Sequence, residues 1–582
     1  MQKLRGADIV AESLVRLGVE YVIGVPGHTV LDLLDALRQR KDRITAVMVR
    51  NEETSGYMAD AYYRIKHKPI VVLAHNSVGA ANTLTGVMSA MLDSSAMIVI
   101  TGDAWTKTQG RGAFQELVHS RDAGTADIFR GSVKRSWSVN KPEKLLEVLL
   151  KAYKEATSGR PGPVHIDITQ EAFTELAEVE FPENFFDFVP NSRTRGDAEA
   201  TKRAFELISQ AKRPVVLAGG GTNRGQASKQ IIALAQALKA PIVTTSMGKG
   251  LVPDSHELLL GVSGWVGTTT ANHALRSADV ILAFGTRFSE TDTAGYTDGA
   301  IFSVPPTKII QIDIDPNEIA RYYPVAEGIV GDVAAVAEDL LEIAKATKHQ
   351  APDRKDWWSS INEVKASWEK EVEACFNPDS DPIEPGRLTR EIRKALPKDG
   401  IMMTDVGNSQ KWIIQQFETY APDTFITSLG GASMGFGPCG VAGAALAAPG
   451  KKVAVITGDG SMSMSLHIYP TVVELNLPIV YIVANDFAWA SVDGPQAKRF
   501  GPNQDFFTRF KLSDGTPYEL DFAAIANACG LKAEKVKSVS DLPAAMERAF
   551  AAKGPYLLDV EIRRDTYVPM TARGAYPLPA VE

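Results

Sequence analysis

Two oxygen-bearing side chains stand at the ends of predicted β-strands in the last third of the sequence. Asp459 follows the apolar run Val453–Thr457, and Asn485 follows the run 478–483. Around Asp459, a small-residue turn between a strand and a helix leaves backbone N–H groups directed at a space where a diphosphate can bind. Aspartate and asparagine oxygens suit Mg²⁺, which can bridge phosphates. Taken alone, however, Gly-Asp-Gly is more typical of a surface turn with a solvated aspartate.

Two histidines also follow predicted strands. His28 comes after the strand Tyr21–Val25, and His75 comes after Ile70–Ala74. Binding sites of parallel α/β sheets form at the carboxyl ends of the strands, and imidazole titrates near neutrality. Both histidines could therefore exchange protons with a substrate, although two loop histidines bonded to nearby backbone remain an alternative.

The middle of the chain carries features of a nucleotide site. A glycine-rich turn after a strand can receive a diphosphate, an arginine can pair with phosphate, and an acid at a strand end can hold a ribose. The residues concerned are Gly219, Gly220, Arg287 and Asp313. Arg224 takes the place of the third glycine of a dinucleotide fingerprint, so the pattern leaves nucleotide binding open.

Short apolar runs alternate with longer amphipathic stretches almost from end to end. This alternation is typical of strands and crossover helices, and predicts an α/β fold of three doubly wound parallel-sheet domains. Polar, proline-containing breaks at 181–198 and 345–355 separate them. The predicted domains are 1–180, 195–345 and 380–562, followed by a tail at 563–582.

Composition restricts the class of protein. The 582 residues are too many for one core, and the 45% apolar and 23% charged fractions are ordinary for globular chains. A net charge of -8 argues against nucleic acid as a partner. The three cysteines (Cys375, Cys439 and Cys529) are widely spaced, and Met1–Gly6 is followed by a helical pattern without an apolar segment. We therefore expect neither a leader nor a membrane-spanning run. We expect a cytoplasmic enzyme for small molecules, without a membrane partner.

The spacing of Asp459 and Asn485, about two dozen residues, resembles the signature of thiamine diphosphate (ThDP) enzymes. Four further segments match that family in order: Gly24–Gly27, Ala113–Glu116, Val406–Ser409 and Ser433–Gly437. Over nearly its whole length the chain resembles the acetohydroxyacid (acetolactate) synthase type. It also has features of 2-hydroxyacyl-CoA lyase and benzoylformate decarboxylase.

This resemblance implies the cofactor and metal residues. Asp459 and Asn485 would bind Mg²⁺ through their side chains, and Phe487 through its carbonyl. Met434 would wedge between the two rings of ThDP, and Ser461 would touch the diphosphate. The complete implied cofactor set is Val406, Gly407, Asn408, Ser409, Met434, Gly458, Gly460 and Ser461. In the central domain, the family binds FAD in some members, ADP in others and no nucleotide in the rest.

The resemblance also implies catalytic residues in the first domain. Glu52 would hydrogen-bond N1′ of the aminopyrimidine and favour the imino tautomer beside the thiazolium C2. Its neighbour Glu53 is expected to be solvated. Gln115 would reach the active site, or else be a helix-surface amide. His75 looks like a histidine of benzoylformate decarboxylase and His28 like one of cyclohexane-1,2-dione hydrolase, whereas acetohydroxyacid synthases usually lack both.

The implied reaction is cleavage or formation of a C–C bond next to a carbonyl of a small 2-oxo acid or acyloin. The alternative is a 2-hydroxyacyl-CoA lyase, or an oxalyl-CoA decarboxylase-like enzyme, which would release an aldehyde or ketone and formyl-CoA. A catalytically inactive homologue is disfavoured, because Glu52, Asp459 and Asn485 are all present. The family further implies a homodimer or homotetramer with shared active sites, in which Glu52 and Asp459 come from different chains.

Overall fold

The computed structural model describes residues 1–117, 124–376, 378–501, 504–569 and 571. The chain divides into two compact units. Unit 1 comprises Met1–Ser192, Ser428–Gly450 and Met464–Ile479, and unit 2 comprises Arg193–Thr427, Lys451–Ser463 and Val480–Glu582. Most of the predicted tail 563–582 lies outside the described residues.

The first 192 residues alternate between strands and helices. In chain order they form β1 (Gln2–Arg5), α1 (Gly6–Arg16), β2 (Tyr21–Gly24), α2 (Leu31–Arg38), β3 (Thr45–Met48), α3 (Glu52–Lys66), β4 (Val71–His75), α4 (Asn76–Leu92), β5 (Met97–Asp103), α5 (Thr125–Phe129), β6 (Ser136–Val139), α6 (Leu145–Thr157), β7 (Pro163–Thr169), α7 (Gln170–Thr174) and β8 (Leu176–Val179). Six of these strands form a parallel sheet in the order β3-β2-β4-β5-β7-β6, and β1 pairs with β8 antiparallel.

A second parallel sheet lies in unit 2. Its elements are α8 (Ala198–Ser209), β9 (Pro214–Ala218), α9 (Gly220–Arg224), α10 (Ser228–Leu238), β10 (Ile242–Thr244), β11 (Leu259–Val262), α11 (Thr269–Ser277), β12 (Val280–Phe284), β13 (Lys308–Asp313), β14 (Glu327–Val330) and α12 (Val333–Ala346). The strand order is β11-β10-β9-β12-β13-β14. Its inner strands β9, β10 and β12 are completely buried, as their near-continuous apolar runs require, whereas the edge strand β14 is mostly not buried.

The third sheet also lies in unit 2. The remaining elements are α13 (Lys355–Phe376), α14 (Pro385–Ala395), β15 (Ile401–Thr404), α15 (Asn408–Gln416), β16 (Phe425–Ile426), α16 (Phe436–Ala447), β17 (Val453–Gly458), α17 (Asp459–Ser463), α18 (Ile468–Glu474), β18 (Ile479–Asn485), α19 (Ala490–Phe500), α20 (Phe522–Ala528), β19 (Lys532–Val536), α21 (Leu542–Ala551) and β20 (Tyr556–Glu561). The strand order is β16-β15-β17-β18-β20-β19. Helices α16 and α18 belong to unit 1. The predicted fold class of three doubly wound parallel sheets is confirmed.

Helix α3 is the most enclosed helix near the expected site of unit 1. All its residues from Thr54 to Arg64 are buried, and glycines allow neighbouring helices to approach it closely. A Cβ on Gly56 would meet Gly86 of α4 at 2.8 Å, and one on Gly443 of α16 would meet the Met58 carbonyl at 1.9 Å. Side chains larger than hydrogen would force these helices apart, so the glycines set the position of α3.

Buried charges tie α3 to its surroundings. Arg64 pairs with Asp60 at 2.7 Å and with Asp93 at 2.9 Å, and all three side chains are buried. Asp93 also accepts hydrogen bonds from the Ser428 hydroxyl and the Gly430 N–H. Because an unpaired buried charge is costly, this network favours one arrangement of α3, α4 and the 428–430 segment.

Carboxylates fold the loop that follows β5. Asp103 accepts hydrogen bonds from Ala104 N–H and from the Gln109 amide, at 2.7 and 3.0 Å. Further along, Glu116 accepts from the Gly110 and Ala113 N–H groups. The loop 104–117 therefore has a defined conformation over its described residues, although it has no regular secondary structure.

No helix in the described part of the chain is long and apolar enough to cross a membrane.

Behind that loop, two carboxyl groups share a buried position. Asp167 on β7 accepts a hydrogen bond from Thr101 at 2.6 Å and is hydrogen-bonded to Asp103. Burial and, to a smaller extent, the nearby charge of Asp103 together raise the pKa of Asp167 to about 8. One of the two groups therefore holds a proton at neutral pH.

We expect the variant Asp167→Asn to gain stability relative to the native chain as the pH rises from about 5 to about 8. The folded-state pKa of Asp167 lies above its unfolded value, so the unfolded chain releases a proton that the folded chain retains. Raising the pH through this window lowers the free energy of unfolding by up to about 1.4 kcal/mol per pH unit. Urea midpoints at both pH values measure the difference. Asp42→Asn, at an exposed position, is the control, and equal pH responses of the two variants would contradict the prediction.

Candidate active site

In unit 1, the two histidines lie where the winding of the sheet reverses. β2 leads through α2 to β3 on one side, whereas β4 leads through α4 to β5 on the other, and β2 and β4 are neighbours. Loops that leave in opposite directions open a crevice at the carboxyl edge. His28 follows β2, His75 ends β4, and their ring centroids are 6.1 Å apart. A Cβ on Gly27 would meet the His75 Cβ at 2.1 Å, so glycine is required for this approach.

Thr29 orients the His75 ring. The Thr29 hydroxyl lies 2.8 Å from the Gly102 carbonyl and 2.7 Å from His75 Nδ1. A carbonyl can only accept, so the hydroxyl donates to Gly102. The Thr29 N–H also donates to His75 Nδ1, at 3.3 Å. Both contacts of Thr29 with the ring fall on Nδ1, so the ring is held at that nitrogen and Nε2 is the nitrogen that Thr29 does not contact.

Burial lowers the pKa of His75. The interaction with Gln115 opposes this shift, the nearby His28 adds to it, and Glu52 opposes it. The balance favours a neutral imidazole near pH 7. His75 is therefore suited to accept a proton or a hydrogen bond. Three of the four residues expected to be catalytic, His28, Glu52 and Gln115, therefore interact with the fourth, His75.

Gln115 lies in the loop after β5, not on a helix, so the helix-surface alternative is wrong. Its backbone has a φ of +58°, and its carbonyl accepts a hydrogen bond from Ser77 at 2.6 Å. Asn76 donates to the adjacent Phe114 carbonyl at 3.2 Å. The Gln115 Oε1 atom is buried and has no hydrogen-bond partner among the described residues. It is therefore an acceptor for a ligand that can donate.

Glu52 begins α3 and is half-buried. Its Oε2 accepts a hydrogen bond from Asn82 on α4 at 3.1 Å. Its Oε1 would lie 3.2 Å from a Cβ on Gly79, so glycine leaves space beside that oxygen. The side chain of Asn51 caps α3 by accepting from Glu53 N–H at 2.9 Å. Asn82 therefore fixes Oε2 of Glu52, whereas Oε1 faces the space that Gly79 leaves open.

The expectation that Glu53 is solvated is wrong. Its Oε1 accepts a hydrogen bond at 2.7 Å from the hydroxyl of Tyr57, a buried residue one turn later on α3. The same hydroxyl lies 2.5 Å from the Ser433 hydroxyl and 3.4 Å from the Met434 carbonyl. Glu53 and Tyr57 therefore support the turn that carries Met434, whose side chain is partly exposed.

In unit 2, Asp459 starts α17 directly after β17. The side chain is buried; Oδ1 accepts from Gly460 N–H at 2.7 Å and Oδ2 from Ala488 N–H at 3.2 Å. Burial raises the pKa of Asp459, and burial together with the charge of Asp459 raises the pKa of Asp486. Two buried carboxyl groups this close favour a cation or a shared proton between them.

Asn485 is the last residue of β18 and is also buried. Its Nδ2 donates to Asp559 on β20 at 2.9 Å, which fixes the orientation of the amide. Its Oδ1 has no hydrogen-bond partner in the described chain. A buried carbonyl oxygen without a partner costs free energy unless a ligand satisfies it. Asn485 therefore presents one oriented oxygen to a ligand.

The third expected metal ligand is differently placed. Phe487 has a φ of +57°, and its carbonyl accepts a hydrogen bond from Phe510 N–H at 3.2 Å. A second lone pair of that oxygen remains for a cation. A cavity of about 110 Å³ is lined by the metal-site residues and aromatic side chains: Asp459, Ser463, Asn485, Phe487, Phe510, Tyr518, Leu520 and Phe522.

This oxygen set suits Mg²⁺ better than a transition metal. Nowhere in the described residues do three or more His, Cys, Asp or Glu side chains converge as a metal site. Around Asp459 the donors are a carboxylate, an amide oxygen and a backbone carbonyl, which are the hard ligands that Mg²⁺ takes alongside phosphate or water. The residues present therefore fit the metal that the sequence implied.

The expected diphosphate segments flank a second reversal of winding. β15 leads to β16, β17 leads to β18, and β15 and β17 are neighbours. Gly407, which precedes α15, has a φ of +127°, and no side chain caps the helix. A Cβ on Gly407 or Gly458 would have no heavy atom within 4 Å, so both turns are open.

Gly460, in contrast, is required for packing, because a Cβ there would meet the Trp489 ring at 2.5 Å. Ser409 and Ser461 are both buried, and Val406 lies between β15 and Gly407.

The four tentative nucleotide residues share one edge of the central sheet. Gly219 and Gly220 follow β9, Arg287 follows β12, and Asp313 ends β13, which are adjacent strands. The glycines have a structural explanation, since a Cβ on Gly219 would meet the Gly285 carbonyl at 2.3 Å. Close packing of two loops therefore accounts for part of this motif without a ligand.

Sequence reasoning missed the residues that orient the expected site. Thr29, Tyr57 and Asn82 in unit 1, and Asp559 in unit 2, act through a neighbour: each hydrogen-bonds a predicted residue or its support. These hydrogen bonds depend on which helices, strands and loops come together in the fold. The spacing of residues along the sequence contains no signal for them.

Three family models match consecutive parts of the chain. The N-terminal TPP (thiamine pyrophosphate, the same compound as ThDP) binding domain of thiamine pyrophosphate enzymes matches residues 4–123, the central domain matches 201–340, and the C-terminal TPP binding domain matches 405–560. Each match contains one of the three parallel sheets in whole or in large part.

Similarity to individual proteins extends over nearly the whole chain. A probable acetolactate synthase large subunit of Methanocaldococcus jannaschii is 33% identical over 98% of this chain and 94% of its own length. The acetolactate synthase large subunit of Haemophilus influenzae is 33% identical over 99% of this chain and 97% of its own. An acetolactate synthase of Mycobacterium bovis is 31% identical over 99% and 91%. Together with the parallel sheets and their edge residues, these similarities show that the chain belongs to the ThDP-dependent enzymes and is of the acetolactate synthase-like type.

Proposed function

We propose that this enzyme uses ThDP and Mg²⁺ to cleave or form a C–C bond next to the carbonyl of a small 2-oxo acid or acyloin, as an acetolactate synthase-like decarboxylase or carboligase. The observation that carries the proposal is the convergence of Glu52, His28, His75 and Gln115 at one sheet edge of unit 1. Similarity to acetolactate synthases along the whole chain supports the reaction class.

The metal and the cofactor would be held by residues of described geometry. Asp459 and the oriented Oδ1 of Asn485 are the proposed side-chain ligands of Mg²⁺, with the Phe487 carbonyl as the third protein oxygen. The open turns at Gly407 and Gly458, with Asn408 and Ser461 beside them, are the proposed diphosphate contacts. When bound, ThDP supplies the nucleophilic carbon for the carbonyl and accepts charge when the C–C bond breaks.

The chain's own residues would hold and move protons around that chemistry. Glu52 Oε1 can accept a ligand N–H, because Asn82 occupies only Oε2. Nε2 of His75, which Thr29 does not contact, can exchange a proton with a substrate hydroxyl. The buried Oε1 of Gln115 can orient a donor on the substrate or a water molecule. His28, 6.1 Å from His75, is positioned to exchange a proton with the same region.

Two further assignments are part of the proposal. We infer a homodimer or homotetramer with shared sites, supported by the uncharged helix α4, which exposes Val78, Met88 and Leu92 along one side. Which nucleotide lies at the edge of the central sheet, FAD, ADP or none, stays a prediction. The visible absorption of the purified protein and a nucleotide assay would test it.

The CoA-dependent alternative gains no support. Two segments that resemble the 2-hydroxyacyl-CoA lyases, Gly248–Gly250 and Trp357–Trp358, have structural explanations in this chain. Lys249 is buried in an ion pair with Asp254, and Trp357 is buried in the core of unit 2. The relatives described above are named as acetolactate synthases. Incubation with pyruvate, other 2-oxo acids, acyloins and a 2-hydroxyacyl-CoA, with products identified by mass spectrometry, tests the proposed reaction. Turnover of the CoA ester alone would overturn it.

Glu52→Gln should slow exchange of the thiazolium C2 proton by about 10²-fold to 10⁴-fold while ThDP remains bound. The amide keeps the size of the side chain but cannot hold a charge or accept a proton. NMR of bound ThDP measures the exchange, and calorimetry measures binding. Glu53→Gln is the matched control, because its amide oxygen can still accept from Tyr57. Equal exchange rates in the two variants would remove Glu52 from its role.

Asn485→Ala should raise the Mg²⁺ concentration required for half-maximal ThDP binding by about tenfold or more, because it removes an oriented oxygen ligand. Asp559→Asn should have a smaller effect in the same direction, since loss of an orienting partner typically costs about 10-fold to 100-fold in metal affinity. Fluorescence titration of ThDP at several Mg²⁺ concentrations measures both. Asn317→Ala, at an exposed turn beside the central sheet, should change nothing. An unchanged Mg²⁺ requirement in Asn485→Ala would exclude Asn485 as a ligand.

His28→Ala and His75→Ala should each lower turnover by about 10²-fold to 10⁴-fold and leave ThDP affinity nearly unchanged. Because burial lowers the pKa of His75 from 6.5, the acid limb of kcat/KM in the native enzyme should lie below pH 6.5 and change in His75→Ala. His256→Ala, in a turn of unit 2, is the control. Full activity with unchanged products in both variants would leave two histidines without a catalytic role.

A further inference from the structure

The first turn of α15 contains a lysine, Lys411, whose charge the described residues do not neutralise. Lys411 is partly buried, and burial lowers its pKa. Its Nζ donates to Asn408 Oδ1 at 3.2 Å, and within the described residues no carboxylate lies within ion-pair distance of it. A buried ammonium group that is paired only with a neutral amide loses hydration without electrostatic compensation. A negatively charged ligand would supply that compensation.

The neighbouring groups are donors as well. The Nδ2 atom of Asn408 is buried and has no hydrogen-bond partner in the part of the chain that the structure describes. No side chain caps the N-terminus of α15, where the first N–H groups of a helix have no partner within the helix itself. Lys411 and Asn408 offer donors and positive charge beside this helix terminus, and the Asn408 amide oxygen already accepts from Lys411. A ligand rich in anionic oxygens matches such a set.

The position of this donor set in the sheet indicates which ligands can reach it. Asp405, at the end of β15, is hydrogen-bonded to β17 through Ile456 and Thr457. The α15 terminus therefore stands beside the turn that carries Asp459, at the reversal of winding where ligands bind in parallel sheets. On the Asp459 side the protein presents oxygen atoms for a cation. On the α15 side it presents cationic and N–H groups for an anion.

We propose that Lys411 is an anion-binding residue of this crevice and that its ligand is an oxyanion of the loaded enzyme, either the diphosphate of ThDP or the carboxylate of the 2-oxo acid. The cofactor contacts expected on α15 are Asn408 and Ser409. The inference rests on the proposed function and adds Lys411 to these contacts. A positively charged side chain here would add to Mg²⁺ as a second source of charge compensation.

Lys411→Met tests the proposal, because methionine keeps the apolar stem and removes the ammonium group. Binding of ThDP, of thiamine and of inorganic diphosphate, each with Mg²⁺, is measured by calorimetry on the full-length protein freed of cofactor. If the diphosphate is the ligand, affinity for ThDP and inorganic diphosphate should fall by about tenfold to a hundredfold, and affinity for thiamine should not change. If the substrate carboxylate is the ligand, ThDP affinity is unchanged, whereas KM for the 2-oxo acid rises and kcat is retained.

Two further variants keep the test interpretable. Lys411→Arg should restore most of the lost affinity, and Lys411→Gln serves as a second neutral variant if the methionine variant folds poorly. Lys452→Met is the matched control: this lysine is also partly buried, but it donates to the Ala552 carbonyl and precedes β17 at the opposite edge of the sheet.

Unchanged affinities and unchanged KM in Lys411→Met would overturn the anion-binding role. Failure of the native protein to bind ThDP would instead overturn the proposed function, and binding of inorganic diphosphate would still test Lys411 by itself.

Discussion

The reversal of winding at one point in each parallel sheet is the constraint on which the site depends. Neighbouring strands whose crossover helices leave to opposite sides cannot close the space above their carboxyl ends, so a crevice remains. In unit 1 this point lies between β2 and β4 and holds His28 and His75. In unit 2 it lies between β15 and β17, beside Asn408 and Asp459, and between β9 and β12 in the central sheet. The proposed catalytic and binding residues therefore lie at the ends of rigid strands or in the segments that follow them.

The position of Glu52 follows from the packing of α3. Glycines where α3 crosses α4 and α16 allow the backbones of the three helices to approach closely. The buried ion pairs of Arg64 with Asp60 and Asp93 disfavour any shift of α3. Close packing and buried ion pairs specify a unique arrangement more than they add stability. A helix held this firmly keeps the carboxylate at its N-terminus at a fixed depth, which an acid or base needs if its proton transfer is to be efficient.

The two units present different polar groups. In unit 1 the proposed acceptors are Glu52 Oε1 and the buried Oε1 of Gln115, which interacts with His75. In unit 2 the proposed cation ligands are Asp459 and Asn485, and the proposed donors are Asn408 and Lys411. The groups of unit 1 suit a nitrogen-rich ring, and the groups of unit 2 suit a metal-bound diphosphate.

The sequence by itself determined the elements and the edge at which the chemistry lies, because both depend on local patterns. Alternating apolar runs located strands to within a residue or two, as for β4, predicted at Ile70–Ala74 and found at Val71–His75. Strand ends located His28, His75, Asp459 and Asn485 on the carboxyl edges. The tertiary structure decided which of those groups are oriented and paired. Asp559, which lies 74 residues from Asn485, orients its amide; the buried Tyr57 donates to Glu53; and the loop after β5, not a helix, carries Gln115. Such outcomes depend on burial and on partners remote in the chain, and local spacing contains no information about either.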